Sequence, residues 1–392
     1  MPPRRSKFSA DAGGSVRRLQ LGAWLNSVMT KIRQTACGVL ACLVLGACTP
    51  EVGYDGESDA PSSNIHTFAT PEKVGTGLLD GATLDGSALF IEAPDPAFPQ
   101  PGCEGQPQSV MFRLPLQEGN RTVVGNGTDP LRGRLVRGGS GGRTAVVAAC
   151  ESFFSGLVIA EESDDGTLSD LESVTPAVPE GFLLNPSTVA WARDGKKLLG
   201  AIQDIDAPDG DPARIVSIDP ESGRLTKLFD AEQGTGVFNV GQMQNGDYVV
   251  ATNLVVSFRN AKGAIKASFQ GQGFQITPDR RRLVVFGSNV RLASQGDTRA
   301  TQVVPEKEGL EVSAAELSPD GKAVAFKRYA LETGQVELSV VGLDDRRVTN
   351  IVTGDQYDRP VFTGDGEALA FNLYTGEPDY TTEVYLARFE PS

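Results

Sequence analysis

Apolar residues along this chain come in short runs closed by Gly, Pro, Asp or Asn, a spacing that predicts strands and tight turns rather than long helices. The clearest case is Ser318-Pro319-Asp320-Gly321-Lys322-Ala323-Val324-Ala325-Phe326. Pro319 fixes its own φ, Gly321 tolerates the positive φ of a sharp reversal, and Asp320 can hydrogen-bond forward into the turn backbone. Ala323–Phe326 is then apolar without alternation, as expected of a strand covered on both faces.

The same pattern recurs at Ala192–Leu199, Thr277–Phe286 and Thr363–Phe371, and in weaker form at Leu84–Phe90, Gly141–Val147 and Gln244–Val250. Anchored on turn positions 86, 142, 195, 246, 280, 321 and 366, the copies lie 34 to 56 residues apart. Four strands fit in such a unit: after Gly321 they are Ala323–Tyr329, Gln335–Val341, Arg347–Val352 and Arg359–Phe362. The units after Gly195, Gly246 and Arg280 divide likewise, whereas long Pro/Gly loops interrupt those after Gly86 and Gly142. Strand-rich repetition at this period is what propeller blades look like. The Ser-Pro-Asp-Gly turn before a small apolar strand resembles the TolB-type repeat, a relative of the WD-repeat propellers, which implies an all-β propeller. Seven turns predict seven four-stranded blades, with six or eight as the alternatives. Only Ala368–Tyr374 and Glu383–Phe389 follow Gly366, while Ile65–Thr70 and Leu78–Leu84 precede the first turn. The expected closure therefore takes two strands from each terminus, leaving no seam of unpaired backbone.

The N-terminal part does not fit this pattern. Seven bases and one acid occupy residues 1–35, and an apolar run follows from Ala36 to Ala47. That run is too short to span a bilayer and has the length of a signal-peptide core. It ends in Leu45-Gly46-Ala47-Cys48, which resembles the lipobox of bacterial lipoproteins. The resemblance implies removal of residues 1–47 and acylation of the Cys48 thiol, palmitate included. Met29, just before Lys31 and Arg33, is an alternative start that would make the first 28 residues an extension. Thr49 rather than Asp follows the cysteine, which under the enterobacterial rule favours the outer membrane. Residues 48–64 are polar and acidic, a flexible tether, and residues 65–392 are the expected propeller.

Charge and cysteines narrow the partners. The chain carries −14 overall, and residues 1–48 contribute +6, so residues 49–392 carry −20. An acidic body of this size argues against nucleic acid and against docking on anionic lipid. Outside the leader and Cys48, the remaining cysteines are Cys103, in a Pro/Gly-rich excursion, and Cys150, at a strand end. They are either a disulfide pinning that excursion in an oxidising compartment or two separate thiols.

Candidate chemistry is sparse. His66 is the one histidine, which excludes sites of clustered imidazoles, and a Ser-His-Asp hydrolase finds no Gly-x-Ser-x-Gly elbow with a following helix-strand array. Asp204, Asp206, Asp209 and Asp211 share one loop with Gly210, a donor set suited to calcium, although the spacing departs from an EF-hand. The plainer reading is a solvated hairpin loop without any cofactor. The run Arg280-Arg281-Arg282 sits at a turn and is expected to be a solvated edge or an acid-binding patch. Two functions remain. One is a non-enzymatic outer-membrane lipoprotein whose propeller binds envelope proteins. The other is a propeller enzyme or ligand binder, calcium-assisted lactonase-like, with acids in its funnel.

Overall fold

Each Asp-Gly turn reverses the chain between the first and second strands of an antiparallel sheet, and this repeated reversal builds the molecule. The computed structural model describes residues 68–95, 109–117, 119–126, 129–150, 153–204, 211–233, 235–306, 310–330, 333–354, 357–374 and 382–390. The described residues form seven four-stranded antiparallel blades arranged in a ring, as the turns predict. The leader, Cys48 with its lipobox, the tether and His66 all lie outside the described residues.

From the centre outward, blade 1 is Leu78–Ala82, Ala88–Pro94, Ser109–Pro115 and Thr122–Val123, and blade 2 is Arg134–Arg137, Arg143–Cys150, Phe153–Glu162 and Leu168–Val174. Blade 3 has a split inner strand, Phe182–Leu184 and Ala190–Trp191, followed by Leu198–Asp204, Arg214–Ile218 and Leu225–Asp230. Blade 4 is Val237–Gln242, Tyr248–Thr252, Val255–Arg259 and Ile265–Gln270. Blade 5 is Gly273–Ile276, Arg282–Phe286, Val290–Ser294 and Thr301–Val304. Blade 6 is Leu310–Leu317, Ala323–Ala330, Val336–Gly342 and Val348–Gly354.

Blade 7 corrects the expected closure. It takes Tyr357–Phe362, Ala368–Tyr374 and Thr382–Arg388 from the C-terminal part and only Glu72–Thr76 from the N-terminal part. The turn falls after the innermost strand of each blade, so Leu78–Ala82 opens blade 1 instead of finishing blade 7. Of the region taken for an outer strand, the described part supplies one isolated bridge, Phe68 to Phe389.

The second strand of each blade explains the unalternating apolar runs. Val324 and Phe326 pack into a cluster with Val284 and Val290 of blade 5, while Ala325 packs with Leu369 and Phe371 of blade 7. Both faces of the strand are thus covered, and Val324, Ala325 and Phe326 are fully buried. The same division recurs around the ring, with one apolar cluster at each blade-to-blade interface among the described residues. Each fully buried Val, Leu or Phe contributes about 1.5–3 kcal/mol, so the core is distributed around a ring and leaves its axis open.

Candidate functional site: the central channel

The inner strands surround a cavity of about 750 Å³ on the ring axis, lined from six blades by residues that include Asp80, Glu92, Arg134, Asn185, Phe238 and Glu316. Its polar groups are held by identifiable local structure. Blade 3 cannot run a continuous inner strand through Pro186, and Pro186–Thr188 forms a 3₁₀ turn instead. Asn185 Oδ1 caps it, accepting from Ser187 N at 3.1 Å and Ser187 Oγ at 2.7 Å. The break leaves carbonyls without strand partners, and Arg134 of blade 2 supplies the donor. Its Nη2 lies 3.2 Å from Pro186 O and 2.9 Å from Val189 O.

On the opposite wall, Gln275 Nε2 of blade 5 donates to Glu316 Oε2 of blade 6 at 3.3 Å. Glu316 lies deep within the ring, and its remaining exposure faces the cavity it lines. Burial pushes its carboxyl up to about 7, against the opposing pull of Arg137 and Arg134. Arg134 keeps open surface toward the lumen, yet enclosure by the ring holds it below an ordinary guanidinium, while Asp80 and Glu316 act in the opposite sense. Glu92 accepts from Gly133 N. Arg137 is committed elsewhere, pairing through Nε with both oxygens of nearly buried Glu162 at 3.0 and 2.8 Å. The cavity therefore holds three carboxylates against one lining arginine, with Glu316 poised to exchange a proton near neutrality.

The two ends of the channel differ. Where the inner strands begin, Phe238 stands 50% exposed at the mouth. At the turn end, Arg280 of blade 5 reaches across. Its Nη1 donates to Gln242 O of blade 4 at 3.1 Å and Trp191 O of blade 3 at 3.3 Å. This corrects the expectation of a solvated edge: Arg280 is partly buried and Arg282 Nη2 approaches Gly321 O at 3.4 Å, leaving Arg281 exposed. Arg280 takes φ +55, where the corresponding turns place Gly86, Gly195, Gly246, Gly321 and Gly366. The sequence showed its charge but not the inward reach, which depends on that left-handed backbone.

The other candidate residues do not join this site. Asp204 ends the second strand of blade 3 and Asp211 is exposed; neither lines the channel. Asp206, Asp209 and Cys103 lie outside the described residues, and Cys150 ends a strand of blade 2. Asn239, whose Nδ2 donates to Phe274 O at 3.1 Å, and Gln275 were missed because single amides carry no motif in the sequence.

No protein-family model matches the chain, and no curated protein matches it. Among solved structures, the C-terminal WD40 domain of Sif2 aligns with a TM-score of 0.51 at 12% identity, covering 82% of this chain and 99% of that one. The fold is a seven-bladed β-propeller, similar to that WD40 domain. The Dos1 propeller aligns with a TM-score of 0.48 at 12% identity, covering 82% and 94% of the two chains. TolB from Acinetobacter baumannii aligns at 0.42 and 15% identity, over 65% of this chain and 66% of that one. At these identities the likeness describes the propeller alone.

Proposed function

We propose that this protein is a non-enzymatic, lipid-anchored scaffold of the bacterial outer membrane whose propeller binds envelope proteins. The observation that carries the reading is the ring itself, seven blades around a polar axial cavity, with Arg280 bridging the turn ends of blades 3 and 4. The lipobox at Leu45–Cys48 supports the anchor, and the acidic tether supports a body held off the bilayer. The −20 charge of residues 49–392 supports protein partners over nucleic acid or anionic lipid surfaces. Crosslinking in intact cells, purification through a C-terminal tag and mass spectrometry tests the reading. Enrichment of one or two envelope proteins, lost in mislocalised Cys48→Ala, is expected; a clean protein without partners sinks it.

A second reading draws on Glu316. A carboxyl that burial pushes up to about 7 at the wall of a polar cavity is suited to acid–base work or to holding a small polar ligand. Binding or turnover abolished by Glu316→Gln, with the crosslinked partners retained, would favour this reading.

A further inference from the structure

On the turn face, away from the open channel mouth, a second cavity of about 580 Å³ lies between blades 6 and 7. Its wall holds three phenyl rings. Phe68 and Phe389 have centroids 4.7 Å apart, and Phe362 lies 6.2 Å from Phe389. Its rim holds Asp320, Asp344, Asp345 and Asp365 against one base, Lys322. Two of these acids use one oxygen internally: Asp320 Oδ1 accepts from Ser318 Oγ and Lys322 N, and Asp365 Oδ1 from Thr363 Oγ1 and Glu367 N. Asp320 Oδ2 lies 3.5 Å from the Lys322 ammonium, so that pair balances itself and Asp344, Asp345 and Asp365 carry the excess negative charge of the rim.

Phenyl faces attract a cation placed within about 6 Å of the centroid, and surrounding carboxylates add charge complementarity. An aromatic wall alone would accept any apolar group, and acids alone would hold a hydrated ion. Together they select a cation on an organic stem. The chain's own entry segment is disfavoured by charge, since Glu51, Asp55, Glu57 and Asp59 precede Phe68 and residues 49–67 contain no Lys or Arg. We infer that this cleft is a docking site for a lysine or arginine side chain presented by a basic segment of a partner protein. The inference deepens the scaffold reading and depends on it only for the existence of such a partner.

The test uses the full chain in detergent and a fluorescein-labelled octapeptide of alternating lysine and serine, followed by fluorescence anisotropy at low and physiological salt. Saturable binding is expected. Phe68→Leu with Phe389→Leu should weaken it by about fivefold for each ring face removed. Asp344→Asn, outside the turn box, should weaken it while leaving the thermal midpoint unchanged, which keeps the test valid if the Phe variant unfolds. Equal weakening by Asp170→Asn on blade 2 would mean general attraction to an acidic body and would overturn the inference. So would an absence of saturable binding. In cells, partners retained by the cleft variants would overturn the cleft alone, whereas absent partners would overturn the scaffold reading.

Discussion

Arg280 shows how one residue can oppose two effects. A non-glycine residue in the left-handed region costs about 1 kcal/mol or more, and the hydrogen bonds from its guanidinium to Gln242 O and Trp191 O offset that cost. Arg280→Ala keeps much of the strain and loses the strap, so urea denaturation should show a loss of about 1–3 kcal/mol. Arg280→Gly removes the strain as well and should lose less than Ala; a Gly variant more stable than the parent by the strain it relieves would mean that the strap contributes nothing. Glu316 acts through pH. Its folded pKa, about 7, lies above the ordinary glutamate value of 4.5, so its contribution to stability is full below about 4.5 and is lost as pH rises through about 7. Glu316→Gln should flatten the stability profile over that window and gain roughly 1–2 kcal/mol above it. An unchanged profile would place the Glu316 carboxyl in water.

At the scale of elements, the turn is a hydrogen-bonded box that extends beyond the Asp-Gly pair. Ser318 Oγ donates to Asp320 Oδ1 at 2.7 Å and accepts from Ala323 N at 2.9 Å. Thr83, Thr277 and Thr363 repeat the arrangement in blades 1, 5 and 7. Thr363→Val keeps the volume and removes the hydroxyl, and should cost about 1–2 kcal/mol in thermal or urea unfolding. The outer turn of blade 2 uses the same chemistry: bonds from Ser163 and Thr167 hold Asp165 at about 2. This depressed value contributes stability above the unfolded value near 3.8, lost as pH falls through about 2. Ser163→Ala should raise the Asp165 titration seen by NMR; an unmoved midpoint would break the link. The turns and second strands were legible because Asp-Gly chemistry and double-sided burial leave marks that survive without an alignment. Glu72–Thr76 was not: an outer strand is held by backbone pairing and carries mostly exposed residues, so its sequence looks like a loop. The split inner strand of blade 3 was less legible, because Pro186 marks the break but the carbonyls it leaves are satisfied by Arg134, more than forty residues earlier in the chain. In the channel, the acids are visible in the sequence as residues but not as a group, because Asp80 and Glu92 come from blade 1 and Glu316 from blade 6, more than two hundred residues later.

For the whole molecule, the decisive place is where the N-terminal part joins blade 7 and then crosses to blade 1. A propeller stacked only by side-chain clusters could open at this interface, because one short strand, Glu72–Thr76, completes the sheet. Ion pairs from Lys73 to Glu383 and from Glu72 to Arg388 are partly exposed and add little. The stronger fastening is Asn372, fully buried on the second strand of blade 7. Its Oδ1 accepts from Leu79 N at 2.9 Å, and its Nδ2 donates to Gly77 O at 3.0 Å and Glu383 O at 3.3 Å. One amide thus joins the end of the closing strand, the start of blade 1 and the neighbouring C-terminal strand. Asn372→Leu would leave these backbone groups buried without the amide, at about 1–3 kcal/mol for each group unsatisfied. The expected signature is local: faster hydrogen exchange across residues 72–80 and 382–388, with blades 3 to 5 retaining their protection, and a lowered thermal midpoint. Gly75→Val offers an independent check, since a Cβ there would meet Leu114 Cδ2 at 2.6 Å and force that side chain to turn aside beneath the same strand. If both variants exchanged uniformly around the ring, closure would be a property of the seven interfaces together, and Asn372 would be an ordinary buried amide.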